Sequence, residues 1–559
     1  MASPEDKSLL RWAHFTMTEE ELKRWISSGS PLSFRPGGQD SERTIDARWL
    51  TMADLSLDLE HAIITGDLSW QDRRTERPWI FKNCVFQGTI DLSGSTFVSM
   101  VRFEGCTCKG DVKFDRCRFL NGLLCNPYKS ADELLTTHFE KGFRIVATRV
   151  IGDCEFVGSE FGGEAKFARM RTDDELRFSH AGLHATFTQN VSFLQMYVGG
   201  ELMLDDCVFR NDAEFYNIGV SGPAFFRRAQ FKGAKLRFRH GRFLAEVNFE
   251  NASFASAVDM TYASFGEELR FKCTNWNKNE LDLSYAQVNG DLVLSGSTQG
   301  RYVLRGTTVR GLVFDEVWLR CADAGKKAIS LSGTSYTRIE PEGEVEKLVD
   351  SLVDAIKTEA DIATRRKLVA VLNRQGLEES ARDAERVLKR GARGRLSAIQ
   401  QVIDFFYDRA FGYGISPWIA FALPLLLFCF GILVYSRPKA VVWKMNMEEQ
   451  NAVELNCKPG ERSGEVECSA KNRARKTNLG YAKAAAISLH YAVPGDIAMG
   501  SDYEASDERP VAWLPILTSE GYATLQRVVG WITIPLMVAA SAGLIWRRPG
   551  EKEFESELD

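Results

Sequence analysis

The sequence predicts a mainly β chain: a long β-solenoid, then an α-helical hairpin, then a module of two apolar helices. Three observations predict it. Phenylalanine recurs at a spacing of eleven residues, an apolar residue stands two positions before most recurrences, and two uncharged apolar runs lie towards the C-terminus. Apolar residues at i and i+2 around a polar one follow the period of a strand.

The repeat is densest at Phe238, Phe249, Met260 and Phe271, with Phe243, Phe254, Phe265 and Trp276 repeating the spacing five residues later. Leu204, Phe215 and Phe226 continue it, as do Phe156, Phe167 and Phe178, and Leu92, Phe103 and Phe114. The partners at i−2 include Val101, Val112, Leu176, Leu236, Val247 and Leu269. Eleven is also the repeat of a right-handed helical coiled coil. On a helix, however, a side chain five positions along lies ~140° away, so no apolar stripe forms. Glycines at Gly88, Gly110, Gly163, Gly200, Gly233, Gly290 and Gly311 disfavour helix as well.

In a solenoid each Phe points inward onto the Phe one coil below. A second inward position is shared by Ala229, Ala252, Ala263 and Ala286 and by Cys84, Cys106, Cys117, Cys207 and Cys273. These cysteines are far apart and lack a C-x₂-C pair, so they read as small buried hydrophobes and not as zinc ligands. The solenoid covers 45–340, interrupted by a non-repeating insert at 120–142. Residues 1–44 form an N-terminal helical cap, where Thr18 precedes Glu19, Glu20 and Glu21.

Residues 341–411 read as a helical hairpin and connector. VEKLVDSLVDAIK has helical spacing, and LVAVLNRQ and LEESARDAERVLKR meet at Gly376. Such a hairpin closes the open end of the coils, which would otherwise expose strand edges.

No charged residue lies between Ala410 and Ser436, and VVGWITIPLMVAASAGLIW (528–546) is a second uncharged run. Each approaches the ~20 residues needed to cross a bilayer. The expectation is transmembrane helices at 412–436 and 528–546, separated by an extracytoplasmic loop at 437–527. Lys389, Arg390, Arg393, Arg395 and Arg409 before the first run, and Arg547 and Arg548 after the second, place both termini in the cytoplasm. Arg437, Lys439 and Arg527 run counter to this bias. Residues 547–559 form a cytoplasmic tail, and the opening residues carry no secretory h-region.

Composition sets outer limits. Of 559 residues, 70 are Lys or Arg and 75 Asp or Glu, a net charge of −5, which argues against polyanion binding by bulk charge. Hydrophobic residues at 44% and charged residues at 26% exclude wholesale disorder. The 35 Phe call for a repeated slot, and 12 Cys are too sparse for a disulfide scaffold.

Five-residue steps such as AQFKG and ASFAS resemble pentapeptide-repeat solenoids, which implies a right-handed coil. The order of parts resembles uncharacterised bacterial membrane proteins built on such coils with a C-terminal two-span membrane module. AIITGDLSW, FKNCVFQGTIDLSGSTF, LDLSYAQVNGDLVLSG, ISLSGTSYTRIE, FGYGISPW and SLHYAVPGDIAMG carry that resemblance. It implies a multi-pass protein of the bacterial inner membrane. Some members carry an oxidoreductase label, for which these residues offer no support, and the family supplies no catalytic residues.

The chain lacks G-x-G-x-x-G, G-x-x-x-x-G-K-[ST] and H-E-x-x-H. His180 and His184 have a metal spacing for a helix but not for a coil. No enzyme activity, cofactor or metal is expected. Three candidate sites remain. Arg227, Arg228, Lys232, Lys235, Arg237, Arg239 and Arg242, with His240 and no acid among them, fall on about one coil and form either an anion-binding stripe or a solvated face. The segment 481–500, with Ser488, His490, Pro494, Gly495 and Asp496, is too short to span and reads as a re-entrant, pore or interfacial segment. Cys457 and Cys468, on the predicted outer side, form a disulfide across a polar, turn-rich loop.

Three functions follow as alternatives. The first is an inner-membrane-anchored cytoplasmic solenoid that binds or senses a protein or an anionic ligand. The second is a membrane effector or ion channel, homo-oligomeric around a pore and acting in antiviral or cell-death response. The third is a membrane-associated oxidoreductase.

Overall fold

The computed structural model describes residues 30–341 with short interruptions, the longest at 315–328, and residues 362–393. Beyond these it describes 397–401, 417–437, 440–443, 456–459, 466–469, 480–493, 503–505 and 518–541, besides isolated positions. The chain divides into two compact units, Met1–Leu388 and Lys389–Asp559.

The first unit is a mainly β solenoid of about 12 coils, of the right-handed type. Each coil contributes a short strand to each of four parallel ladders. Val101–Glu104 lies on side one, Thr107–Cys108 on side two, Val112–Lys113 on side three and Arg118–Phe119 on side four. Leu57 pairs with Trp79, Trp79 with Val101 and Val101 with Leu123, so the ordinary coil has twenty-two residues. The strands form because inward and outward residues alternate, as in Val101–Glu104, where Val101 and Phe103 are buried.

The eleven-residue repeat is therefore half a coil. Phe249 stacks on Phe226 at 4.6 Å and on Phe271 at 5.0 Å, its mates one full coil away on either side. Phe238, eleven residues from Phe249, meets it edge-on across the core at 5.5 Å and 85°. Offset stacks along the axis and edge contacts across it are the two favourable geometries for aromatic pairs. Phe243 on Phe265 and Phe254 on Trp276 form parallel stacks in the second series.

The small inward position behaves as its occupants require. Ala229, Ala252, Ala263 and Ala286 are buried there. Cys84 Sγ lies 3.4 Å from Leu59 O and Cys106 Sγ 3.3 Å from Phe81 O, the carbonyls one coil below. Ser95 Oγ donates to Trp70 O at 2.6 Å and Thr307 Oγ1 to Leu283 O at 2.8 Å in the same way. The slot thus takes any small side chain whose donor, if it has one, reaches that carbonyl. Cys273 lies outside the described residues.

Burial pushes the Cys117 thiol up to about 12. A thiol raised this far stays protonated at pH 8, and the thiolate is the reactive form. Cys117 is therefore expected to resist iodoacetamide at pH 8 in native protein and to be alkylated after denaturation. Rapid native labelling, read by peptide mass spectrometry, would contradict its place in the core.

Three boundaries differ from expectation. Leu32–Ser33 already pairs with Leu59 and Glu60, so the ladder of side one begins ahead of residue 45, within the stretch assigned to a helical cap. The insert is narrower than 120–142, because Leu123–Leu124, His138–Phe139 and Phe143–Val146 keep their places in the ladders. What protrudes is an antiparallel hairpin, Tyr128–Lys129 against Leu134–Leu135, fastened by the Tyr128 hydroxyl donating to Glu60 Oε1. A second antiparallel pair, Ser179–His180 with Leu183–His184, stretches the step from Leu176 to Leu202. Residues 1–19 lie outside the described residues.

The last coils are closed by helices. Ile362–Arg374 (α1) and Glu378–Ala392 (α2) turn at Gly376, whose φ of +77° is the left-handed conformation glycine adopts most easily. Leu368, Val371, Leu372, Ala381 and Ala384 join the solenoid's own core. Gln375 donates to Ile339 O at 2.9 Å and accepts from Ile339 N at 3.1 Å, satisfying a strand edge. Helices follow the solenoid, as the sequence predicts. Gln375→Leu removes both edge bonds and is expected to cost ~1–3 kcal/mol, measurable by urea denaturation.

In the second unit Pro417–Tyr435 (α3), Tyr481–Ala492 (α4) and Ser519–Ser541 (α5) pack together, with Val434, Tyr435, Ala484, Ile487, Tyr491, Tyr522 and Ala523 at the centre. α5 begins at Ser519, ahead of the predicted 528, and so takes in Arg527, whose guanidinium lies 4.6 Å from the Tyr491 ring centre. Among the described residues no helix is long and apolar enough to cross a membrane. The side chains of α3 are described only from Leu425 onward. The tail 547–559 lies outside the described residues.

Candidate functional site

The second unit holds a buried polar seam. Ser488, on α4, is fully buried, and its Oγ donates to Phe428 O on α3 at 3.0 Å. Gln526, on α5, donates through Nε2 to Ser488 Oγ at 2.7 Å and to Ser488 O at 3.0 Å. Tyr435 donates its hydroxyl to Gln526 Oε1 at 3.2 Å, and Tyr522 donates to Leu427 O at 2.5 Å. These bonds tie all three helices together. The backbones approach closely at two glycines: a Cβ on Gly431 would overlap Ser488 Oγ, and one on Gly530 would overlap Ala492 O.

Beside exposed Lys483, Glu520 and Arg527, the outside of the same helices carries a large apolar share. Leu425, Leu426, Leu433, Val528, Trp531 and Ile532 are all more than half exposed. Hydrogen-bonded polar groups at the helix contacts with leucines outside are a common pattern of helices packed in lipid.

Of the five residues proposed for a pore or re-entrant segment, Ser488 is drawn into the seam. His490 is half-buried with its ring 5.4 Å from that of Tyr491. Pro494, Gly495 and Asp496 lie outside the described residues. Gln526 and Tyr435 were not singled out from the sequence. The signal for Gln526 was a lone amide beside an apolar run, at i−2 to Val528.

The seven basic residues do not line up. Arg227 and Arg228 lie in the turn between sides one and two, Arg237 lies on side three and Arg242 on side four. They encircle one coil, because a coil is about as long as the basic run. Arg227 pairs with Asp205 at 2.5 Å and Arg228 with Asp206 at 2.7 Å. Arg237 lies 3.7 Å from Glu214 and Arg239 3.5 Å from Asp259. Neighbouring coils supply acids to four of the seven, and the run is spread around the coil. Lys232 and Lys235 flank the turn between sides two and three.

Asn456–Pro459 and Val466–Ser469 form an antiparallel hairpin whose register sets Cys457 directly opposite Cys468. Facing residues in such a ladder have Cα atoms ~4.5–5.5 Å apart, within the range a disulfide spans. The bridge is expected to appear in mass spectra of protein alkylated without reduction. Two alkylated thiols in protein from freshly isolated membranes would rule it out.

Comparison with known families matches residues 80–120 to the family model described as Pentapeptide repeats (9 copies). No curated protein and no solved structure matches the chain. The matched residues run from side one of one coil to side four of the next, through FKNCVFQGTIDLSGSTF. The first unit is thus a β-solenoid whose stretch 80–120 is similar to pentapeptide repeats, and whose four-ladder coils continue beyond the matched residues.

Proposed function

We propose that this protein is a membrane-anchored binding module, with the pentapeptide-repeat solenoid as a non-catalytic interaction scaffold and the second unit as its anchor in a bacterial inner membrane. The reading rests on one observation: α3, α4 and α5 bury Ser488, Gln526 and the Tyr435 hydroxyl while exposing Leu425, Leu426, Leu433, Trp531 and Ile532. In water that distribution exposes a large apolar patch. In a bilayer the same distribution puts small residues and hydrogen bonds at the helix contacts and leucines toward lipid.

The test is alkaline carbonate extraction of membranes from cells expressing the full chain. The protein is expected in the pellet. Leu426→Lys, at the middle of α3, places a charge on the lipid-facing side, at a cost of ~2.5–3.5 kcal/mol near the bilayer centre, and is expected to shift protein to the supernatant. Release of the unmodified chain by carbonate would refute the anchor. The channel alternative predicts ion flux in liposomes containing the purified chain; Ser488 being satisfied within a single chain speaks for anchoring. The oxidoreductase alternative has no observation in its favour.

A further inference from the structure

The bulk charge of −5 conceals a strongly basic edge on the solenoid. On side three, Lys113, Arg144 and Lys166 are direct ladder partners. On side four of the same coils, Arg118, Arg149 and Arg171 are direct partners. Between the two sides the chain bends through one residue of positive φ per coil, and two of these are again arginine: Arg116 at 56° and Arg169 at 49°. All of these side chains but Lys113 are exposed.

Asp91 is the ladder partner of Lys113 on its other side, and two further carboxylates stand among them. Asp115 pairs with Arg144, and Asp173 is shared by Arg149 and Arg171. Among the described residues, Lys113, Arg116, Arg118, Lys166 and Arg169 have no ion-pair partner. Like charges directly opposite on adjacent strands destabilise a sheet. Other coils fill the same turn with Asp72, Gly94, Ala147, Gln195, Asn217 or Gly306, none of them basic. The two arginines of the turn add positive charge beside ladders in which like charge already faces like charge, which marks a surface kept for something other than folding.

The same edge continues with aromatics. His240, Tyr262 and Tyr285 occupy the positive-φ turn in three successive coils, at 56°, 59° and 60°. Their rings stack at 5.3 Å from one to the next, and both tyrosines are half exposed. From Arg116 to Tyr285 the edge climbs seven ladder steps, ~34 Å at ~4.8 Å per step. That is about one turn of a nucleic-acid duplex.

From this arrangement we infer that the edge between sides three and four docks the sugar-phosphate backbone of a nucleic-acid duplex, without base readout. The charges flank a convex bend on both sides. A groove offers phosphates on two walls, which such a ridge meets at once, whereas a flat bilayer meets one side only. Arginine and lysine supply the phosphate contacts, and the tyrosines add hydroxyl donors farther along. The inference concerns the first unit and stands apart from the anchoring of the second.

The experiment is fluorescence anisotropy with the full chain in detergent, using a labelled DNA duplex of about 20 base pairs, or roughly two helical turns. Binding is expected, with a log–log salt slope of about −4 or steeper for five or so phosphate contacts. The variant Arg116→Gln/Arg118→Gln/Arg169→Gln is expected to lose at least ~10-fold in affinity and to flatten the slope by about 3. Its thermal midpoint is expected to hold or rise, since repulsion is relieved. A control, Lys232→Gln/Lys235→Gln, is expected to change affinity less than ~2-fold. Three outcomes would overturn the inference: no duplex binding, equal loss in variant and control, or preference for phosphatidylserine vesicles, polyglutamate or single-stranded DNA over the duplex.

Discussion

Phe249→Asp is expected to abolish the cooperative unfolding transition of the solenoid or to lower its midpoint more than any other single substitution named here. Phe249 is fully buried and is stacked on both sides, by Phe226 at 4.6 Å and Phe271 at 5.0 Å, with Phe238 edge-on at 5.5 Å. Removing the ring costs ~3–5 kcal/mol by cavity formation. A carboxylate in its place has no donor to meet it, and an unpaired buried polar group adds several kcal/mol more. In a solenoid each coil is held by its neighbours, so the loss falls on three coils at once and splits the stack. Lys232→Asp, on the outer surface of an adjacent coil, is expected to change stability by ~0.5 kcal/mol or less. Thermal melts followed by circular dichroism compare the two. Equal shifts would sink the assignment of Phe249 to the interior.

The residues that make the coil were legible because the core slot is periodic in sequence. Phe238, Phe249 and Phe271 announce themselves at eleven and its multiples. The length of the coil was not, because its two halves use the same residue types on opposite walls. Sequence spacing alone cannot distinguish Phe249 stacking on Phe238 from Phe249 facing it. The insert was drawn too wide for a related reason: Leu123, Leu124 and Phe139 fill ladder positions, but the hairpin between them shifts their phase.

The same shift hides the basic edge. Arg118 and Arg149 are direct partners although thirty-one residues separate them, and Arg149 and Arg171 are partners at twenty-two. A search for dense runs of charge finds Arg227–Arg242 instead, which the coil then wraps around all sides. A ladder of like charges is sparse in sequence and dense in space, the reverse of a run. In the second unit, α3 was visible from its lack of charge, whereas the seam was not. Gln526 stands beside Arg527 and outside the uncharged run, so its place inside a helix contact depends on α5 starting earlier than its apolar part.

The other large effect is expected at Gly530, where helix propensity and packing predict opposite signs. Leucine is the better helix former by ~0.8–1 kcal/mol, so propensity alone makes Gly530→Leu stabilising. Gly530 lies inside α5, where α4 passes so close that a Cβ would overlap Ala492 O. That atom is backbone, so relief requires the helices to separate and not merely a side chain to rotate. Separation at Gly530 strains the bonds from Gln526 to Ser488 one turn away, at 2.7 and 3.0 Å, and with them the link to α3 through Ser488 and Phe428. Overpacking of this kind costs ~1–3 kcal/mol before any hydrogen bond is lost. The expected result in detergent is loss of the near-ultraviolet signal of Tyr435, Tyr491 and Tyr522 and a lower melting midpoint for the helical unit. Gly530→Ala is expected to do the same more mildly, because its single methyl still meets the carbonyl. Trp531→Leu, one residue away and 65% exposed, removes a larger side chain and is expected to leave the midpoint unchanged. A Gly530→Leu protein that melts at or above the wild-type temperature would mean that propensity governs this helix and that the contact between α4 and α5 is not formed.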